Sequence, residues 1–265
     1  MSLMKIDPNN GTKFWFKDGT STLHRTDGPA VEMTNGNYKW YLEGKLHRTD
    51  GPAYKTQAVE RWCYKGRLHR TDGGPAETIT DGAKVWCENG KKHRLDGPAV
   101  ELGDGSYYWY QNGKLHRLDG PAEFRPGISE LWYVNGELHR EDGPAVIHPG
   151  VCEDWWLNGN RHRVGGPAFK SKNIEEWFIN GKLHREDGPA LINTTKSCWY
   201  KDGKLHSTTG PAVIFNSKTS PRYYIDGKRL TKTEWDQQRV IYTTKPSLTK
   251  AQIEQILGYE FHLIG

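Results

Sequence analysis

Nine histidines, at positions 24, 47, 69, 93, 116, 139, 162, 184 and 206, open a segment whose commonest form is Leu-His-Arg-x-Asp-Gly-Pro-Ala. An imidazole flanked by a guanidinium and a carboxylate suits general acid–base catalysis, and a row of imidazoles and carboxylates suits metal ligation. Their spacing points away from both. The histidines recur every 22 to 24 residues; if each interval adds two strands to a sheet, equivalent residues lie about 10 Å apart, too far to share a metal. A catalytic site is one constellation of unlike groups, whereas this is one constellation copied many times. The residues are therefore read as scaffold. His47, His116, His184 and their equivalents are expected to bond a neighbouring carbonyl or carboxylate, and each Arg to pair with the Asp two residues on or in the adjacent unit. No phosphate-binding glycine loop, nucleophile elbow or His-Glu-x-x-His occurs. The expectation is a chain that is not an enzyme, with no catalytic residue, no metal site and no cofactor.

The elements that would hold such a motif follow from what precedes it. A tryptophan stands seven residues before eight of the histidines, at Trp40, Trp62, Trp86, Trp109, Trp132, Trp155, Trp177 and Trp199, and Trp15 stands nine before His24. A fixed period of this length marks a repeat array in which each unit leans on its neighbours. In the copy around Trp109 the chain reads Tyr-Tyr-Trp-Tyr, a strand composition, then Gln-Asn-Gly-Lys, in which Asn112-Gly113 is a tight hairpin turn because both residues tolerate positive φ. Gly occupies that slot in every unit. A second bend is set by Asp-Gly-Pro, where proline fixes its own φ and restrains the glycine before it. One unit is thus two short strands and two turns. The fold class predicted is all-β: an elongated antiparallel β-hairpin array of about nine to ten units with a short α-helical C-terminal cap. The organisation is an N-terminal segment at 1–11, the repeats at 12–230 and the cap at 231–265. Side chains at the Trp slot and at the slot after it face opposite sides, and both slots are apolar.

Composition agrees with a thin structure. Hydrophobic residues make up 35% of the 265 positions, below the usual range of about 45–50%, while aromatics reach 12%, so large flat rings must supply much of the burial. The net charge of +5 is small for this length and creates no strong field toward nucleic acid or membrane. No apolar run approaches the roughly 20 residues of a membrane span, and a cytoplasmic location is expected, in the host cytoplasm if the protein is viral. Cys63, Cys87, Cys152 and Cys198 form no C-x-x-C pair, and the repeat spacing exceeds the roughly 7 Å limit for a disulfide, so four free thiols are expected.

The pattern W-Y-x-N-G-K-L-H-R-x-D-G-P-A over residues 12–228 resembles the MORN repeat, in which an aromatic, Asn-Gly-Lys and His also follow one another. It departs where a MORN unit has Gly after His, since Arg stands there in eight units, and in its added Gly-Pro-Ala. It is also similar to repeat arrays of phages and large DNA viruses. The resemblance implies an array of hairpins that docks a protein partner, a host factor if the protein is viral, or another copy of itself. The alternative is an anion binder that sequesters a nucleotide signal or contacts nucleic acid, using the arginines together with Lys45, Lys114, Lys182 and Lys204. Because the repeated residues serve folding, specificity is sought where units differ: Trp156 beside Trp155, Tyr107 with Tyr108, Arg61, and Glu175 with Glu176.

At the ends, a degenerate tenth unit places Tyr223 in the Trp slot, Asp226-Gly227 in the turn and Leu230 in the His slot. Thr231 or Thr233 can then cap a helix through Arg239, and residues 247–257 read as a second one. Such a cap closes one end of the array. The N-terminal edge is the less protected end and the one expected to support a homo-oligomer.

Overall fold

The computed structural model describes residues 2–244 and consists mostly of β-structure with one C-terminal helix. It divides into two compact units, Met1–Asn160 and Arg161–Gly265. In the first unit the strand Ser2–Ile6 pairs with Lys13–Lys17, which pairs with Val31–Glu32, and every further pairing is antiparallel, as in Tyr107–Tyr108 between Val100–Glu101 and Glu123–Arg125. In the second unit the run goes from Phe169–Ser171 through Ile174–Glu176, Leu191–Asn193 and Lys196–Cys198 to Val213–Phe215. The all-β hairpin array and its helix are as the sequence predicts.

The unit itself is richer than two strands. Tyr107–Tyr108 belongs to the main sheet, whereas Tyr110–Gln111 pairs with Lys114–Leu115 in a small hairpin of its own. The strand changes partners at Trp109. Its N–H donates to the Ala122 carbonyl at 2.7 Å, the last bond in register with the main-sheet pair Tyr108 and Glu123, and its own carbonyl accepts from the His116 N–H at 3.0 Å, the first bond of the side hairpin. Each unit therefore carries a main-sheet hairpin and a side hairpin joined at the tryptophan. Where the two meet sits the alanine of Gly-Pro-Ala, and Ala30, Ala53, Ala76, Ala99, Ala122, Ala145, Ala168, Ala190 and Ala212 are all fully buried. No larger side chain has room at that crossing.

The side-hairpin turns have positive φ at both central residues, 52° at Asn112 and 82° at Gly113, which matches their twist to that of the strands. Even Glu43 and Lys65 are held at 50°. These turns then bind the preceding unit: the Gly136 N–H donates to the Leu115 carbonyl at 2.8 Å, and the Arg117 N–H donates to the Tyr133 carbonyl at 3.0 Å. The side chain after each tryptophan faces inward. Cys63 and Cys87 are buried there, and burial pushes the Tyr41, Tyr110, Tyr133 and Tyr200 hydroxyls above the usual phenol range. All four cysteines are free thiols, and burial drives Cys63 up to about 11, so it stays protonated and unreactive.

At the C-terminus the tenth unit forms as a hairpin, Tyr223–Ile225 with Lys228–Leu230. The helix Lys232–Thr244 follows, longer than the predicted stop at Arg239. Thr231 is its N-cap: its N–H donates to Glu234 Oε2 at 2.7 Å, and the Glu234 N–H donates back to the Thr231 hydroxyl at 3.3 Å. The helix predicted at 247–257 lies outside the described residues.

Candidate functional site

The Arg-x-Asp-Gly-Pro bends form a row of corners, and the structure shows why each residue type is fixed. In the corner after Trp109, the Arg117 guanidinium lies over the indole with Cζ 4.3 Å from its centroid. Its Nε donates to Asp119 Oδ1 at 2.9 Å and its Nη1 to the Pro121 carbonyl at 3.4 Å. The same Arg-on-Trp stack recurs at Arg25, Arg48, Arg70, Arg94, Arg140 and Arg185, with Cζ between 3.9 and 4.3 Å from the ring. On the guanidinium's other side lies glycine backbone. A Cβ at Gly120 would come within 2.7 Å of Arg117 Cζ, so the Gly before Pro is required by the arginine and not by its own φ. The Arg–Asp pairing two residues on is as expected from the sequence.

The expected oxygen partners are found in part, with Nδ1 of His184 and His206 lying 3.0 and 2.9 Å from the Asp202 and Asp226 carboxylates, and a backbone amide joins them in every unit. His116 Nδ1 accepts the backbone N–H of Asn135 at 3.1 Å, the first turn residue of the next unit. All nine repeat histidines do the same, with His47 accepting from Lys65 and His184 from Asp202, both at 3.2 Å. The reason lies in the turn. With both central residues at positive φ, two successive N–H groups point out of the hairpin, and the preceding unit's Leu carbonyl and His nitrogen receive them. His is thus the joint between units.

Between successive corners lie grooves. One of about 460 Å³ is lined by Arg25, Thr26, Trp40, Leu42, His47 and Thr49 among others, and the next, about 240 Å³, by Arg48, Thr49, Trp62, Tyr64 and His69. Tyr64 narrows the second, its ring 4.8 Å from His47 and 5.8 Å from His69. In the second unit a groove of about 370 Å³ is lined by Val164, Gly165, Trp177, Ile179 and Glu186. Two variable slots therefore tune this edge: the residue two after Trp, which forms the floor, and the residue between Arg and Asp, which forms the lip. Leu95, Leu118 and Val164 occupy the lip slot with 71%, 79% and 79% of their surface exposed. The sequence reading passed over them; an aliphatic residue set between Arg and Asp in a bend was the available signal.

The residues singled out from sequence lie elsewhere. Arg61 donates to Glu77 at 2.6 Å and sits over Tyr54, Tyr107 stacks on Phe124 at 5.0 Å, and Tyr108 lies near Arg125. In the second unit Glu175 pairs with Lys170 at 3.3 Å and Glu176 with Arg161 at 3.2 Å. Trp156 is half-buried in the hairpin strand Trp156–Leu157. They are spread along the units and form no common cluster.

No group of three or more His, Cys, Asp or Glu suited to a metal ion occurs among the described residues. No described helix is long and apolar enough to cross a membrane. Comparison with models of protein families and with curated proteins finds no match.

The corner charges have a consequence for pH. The hydrogen bond from the Arg side chain holds Asp27, Asp50, Asp72, Asp96, Asp119, Asp142 and Asp187 below the usual carboxylate range. A carboxylate depressed in the folded state adds stability above its unfolded value, about pH 4, and that stability is lost as pH falls through the lower folded value. The carboxylates are exposed, so added salt weakens the effect. The expected result is a melting temperature that drops steadily from pH 4 to pH 2, less so at high salt. A constant value over that range would show that the pairs do not support the fold.

Proposed function

We propose that this chain is a non-enzymatic repeat scaffold, akin to MORN-like arrays, that docks a protein through its corner edge. The observation carrying this reading is the pair Leu95 and Leu118, 71% and 79% exposed in equivalent slots of consecutive units. These aliphatic side chains leave most of their surface unburied in their own unit, and standing one repeat apart on the same edge they offer apolar area that a partner can cover. Around them the charges are matched, because each guanidinium already stacks on Trp and pairs with Asp. Anion or nucleic-acid binding would draw on those same guanidinium groups.

The test is capture from an extract of the natural host by the wild-type chain and by Leu95→Asp/Leu118→Asp, at low and moderate salt. The docking reading expects a bound protein that the wild type retains in salt and the variant loses. Binding that the variant keeps and that collapses steeply with salt would instead mark contacts to phosphates.

The alternative place for self-association, in place of the corner edge, is the N-terminal edge. The strand Ser2–Ile6 pairs on one side with Lys13–Lys17 and leaves Leu3, Met4 and Ile6 at 51%, 46% and 53% exposure.

A further inference from the structure

Resting on the docking reading above, we infer that the grooves and leucines of the first unit are complementary halves of one surface, and that its occupant is a second copy of the chain. The first five corners, at residues 25–27, 48–50, 70–72, 94–96 and 117–119, differ at the lip. The first three carry Thr26, Thr49 and Thr71, and the grooves between them measure about 460 and 240 Å³. The next two carry Leu95 and Leu118, which project. A cavity of about 150 Å³ admits benzene, so either groove has room for the four carbons of a leucine side chain. Their floors, Trp40 with Leu42 and Trp62 with Tyr64, are aromatic and aliphatic, and their walls are the paired charges of the corners, Arg25 with Asp27, Arg48 with Asp50 and Arg70 with Asp72.

Register is what singles out a second copy. Leu95 and Leu118 are one repeat apart, and so are the two grooves, each step being twice the strand spacing, about 10 Å. Let two copies lie antiparallel, corner edge to corner edge, with the fifth corner of one at the groove between the first and second corners of the other. The fourth corner then falls at the groove between the second and third, because each step forward along one copy is a step back along the other. A two-fold axis between them repeats both insertions in the reverse sense, so four leucines fill four grooves and the contact closes on itself. A partner of unrelated spacing would match one groove at most. The apposed edges also do not repel, since each brings Arg–Asp pairs at 2.6 to 3.1 Å rather than a single sign of charge.

Sedimentation equilibrium of the full chain over the micromolar range tests this, with Leu95→Asp/Leu118→Asp, Ile6→Lys, and the pair Thr49→Cys with Leu118→Cys. The expected result is a wild-type dimer, a dissociation constant raised by about 100-fold or more in the double Asp variant with unchanged circular dichroism, and a dimer retained by Ile6→Lys. The double cysteine variant should form an intermolecular disulfide under copper–phenanthroline oxidation that neither single variant forms. A wild-type monomer, a dimer that survives the double Asp change, or a dimer lost in Ile6→Lys alone would overturn the inference. If the wild type is monomeric yet the Asp variant still loses a captured host protein, the corner edge docks a different partner. If it is monomeric and nothing is lost, both readings fall.

Discussion

Replacing Trp235 by alanine should lower the stability of the second unit by about 3–5 kcal/mol, the range for removing a buried indole. Trp235 is 5% exposed and closes a small core with Ile225, Leu230 and Tyr223, its ring 5.1 Å from that of Tyr223. Its Nε1 also donates to the Ser207 carbonyl at 2.7 Å. Ser207 occupies the slot that holds Arg in the other units, so the helix is anchored where the ninth corner lacks its guanidinium. Two further contacts hold the helix down: the capping box at Thr231 and the contact from the Tyr242 hydroxyl to Asp226. Neither is buried, and neither can replace the indole. Amide hydrogen exchange is the direct readout. Residues 223–230 should lose protection together in Trp235→Ala, whereas Trp235→Phe, which keeps most of the packing but not the hydrogen bond, should cost about 1 kcal/mol. Protection unchanged in the alanine variant would show that the tenth hairpin stands without the helix.

Gly120→Ala should destabilise by about 2 kcal/mol, while Gly210→Ala should be neutral or stabilise by about 0.4–1 kcal/mol. The two glycines hold the same slot before proline, and neither has positive φ. They differ in what lies above them. An alanine Cβ at 120 would meet Arg117 Cζ at 2.7 Å, and the guanidinium, held between Trp109 and the backbone, can yield only by leaving the ring and the Pro121 carbonyl. At 210 nothing lies within 4 Å, because the Arg slot there is Ser207. Urea unfolding of the two variants beside the wild type decides the point. Equal effects would mean that the slot is fixed by backbone conformation and not by the arginine.

Much of the local structure was legible because its causes are adjacent in sequence. Asn112-Gly113 supplies positive φ, the Arg and Asp of a corner are two residues apart, and Thr231 with Glu234 spells a capping box. The helix runs past Arg239 to Thr244, and in that last part the Tyr242 hydroxyl reaches Asp226 and its ring lies 5.6 Å from that of His206, contacts that the local sequence does not display. In the sequence Ser207 is only a lapse in the repeat, and in the structure it is where Trp235 docks, 28 residues away in the chain. Leu95 and Leu118 went unnoticed because an isolated aliphatic residue in a bend has no periodicity to mark it, and only exposure separates it from a buried one.

The nine histidines divide what sequence and tertiary structure each determined. Their types and spacing established an array of like units, and the even interval of 22 to 24 residues argued that none of them forms a shared metal or catalytic centre. Which group each one bonds was set by the stacking of units. Nδ1 of one unit receives an amide from a turn 18 to 20 residues later, as His162 does from Asn180 and His206 from Asp226. That pairing depends on register between neighbouring hairpins, on the outward N–H groups of a positive-φ turn, and on the switch of the strand at Trp from the main sheet to the side hairpin. Register is a property of two chain segments brought together, so no single stretch of residues encodes it. The same reason places the lip leucines and the open grooves on one edge, where the sequence displays only a variable letter between Arg and Asp.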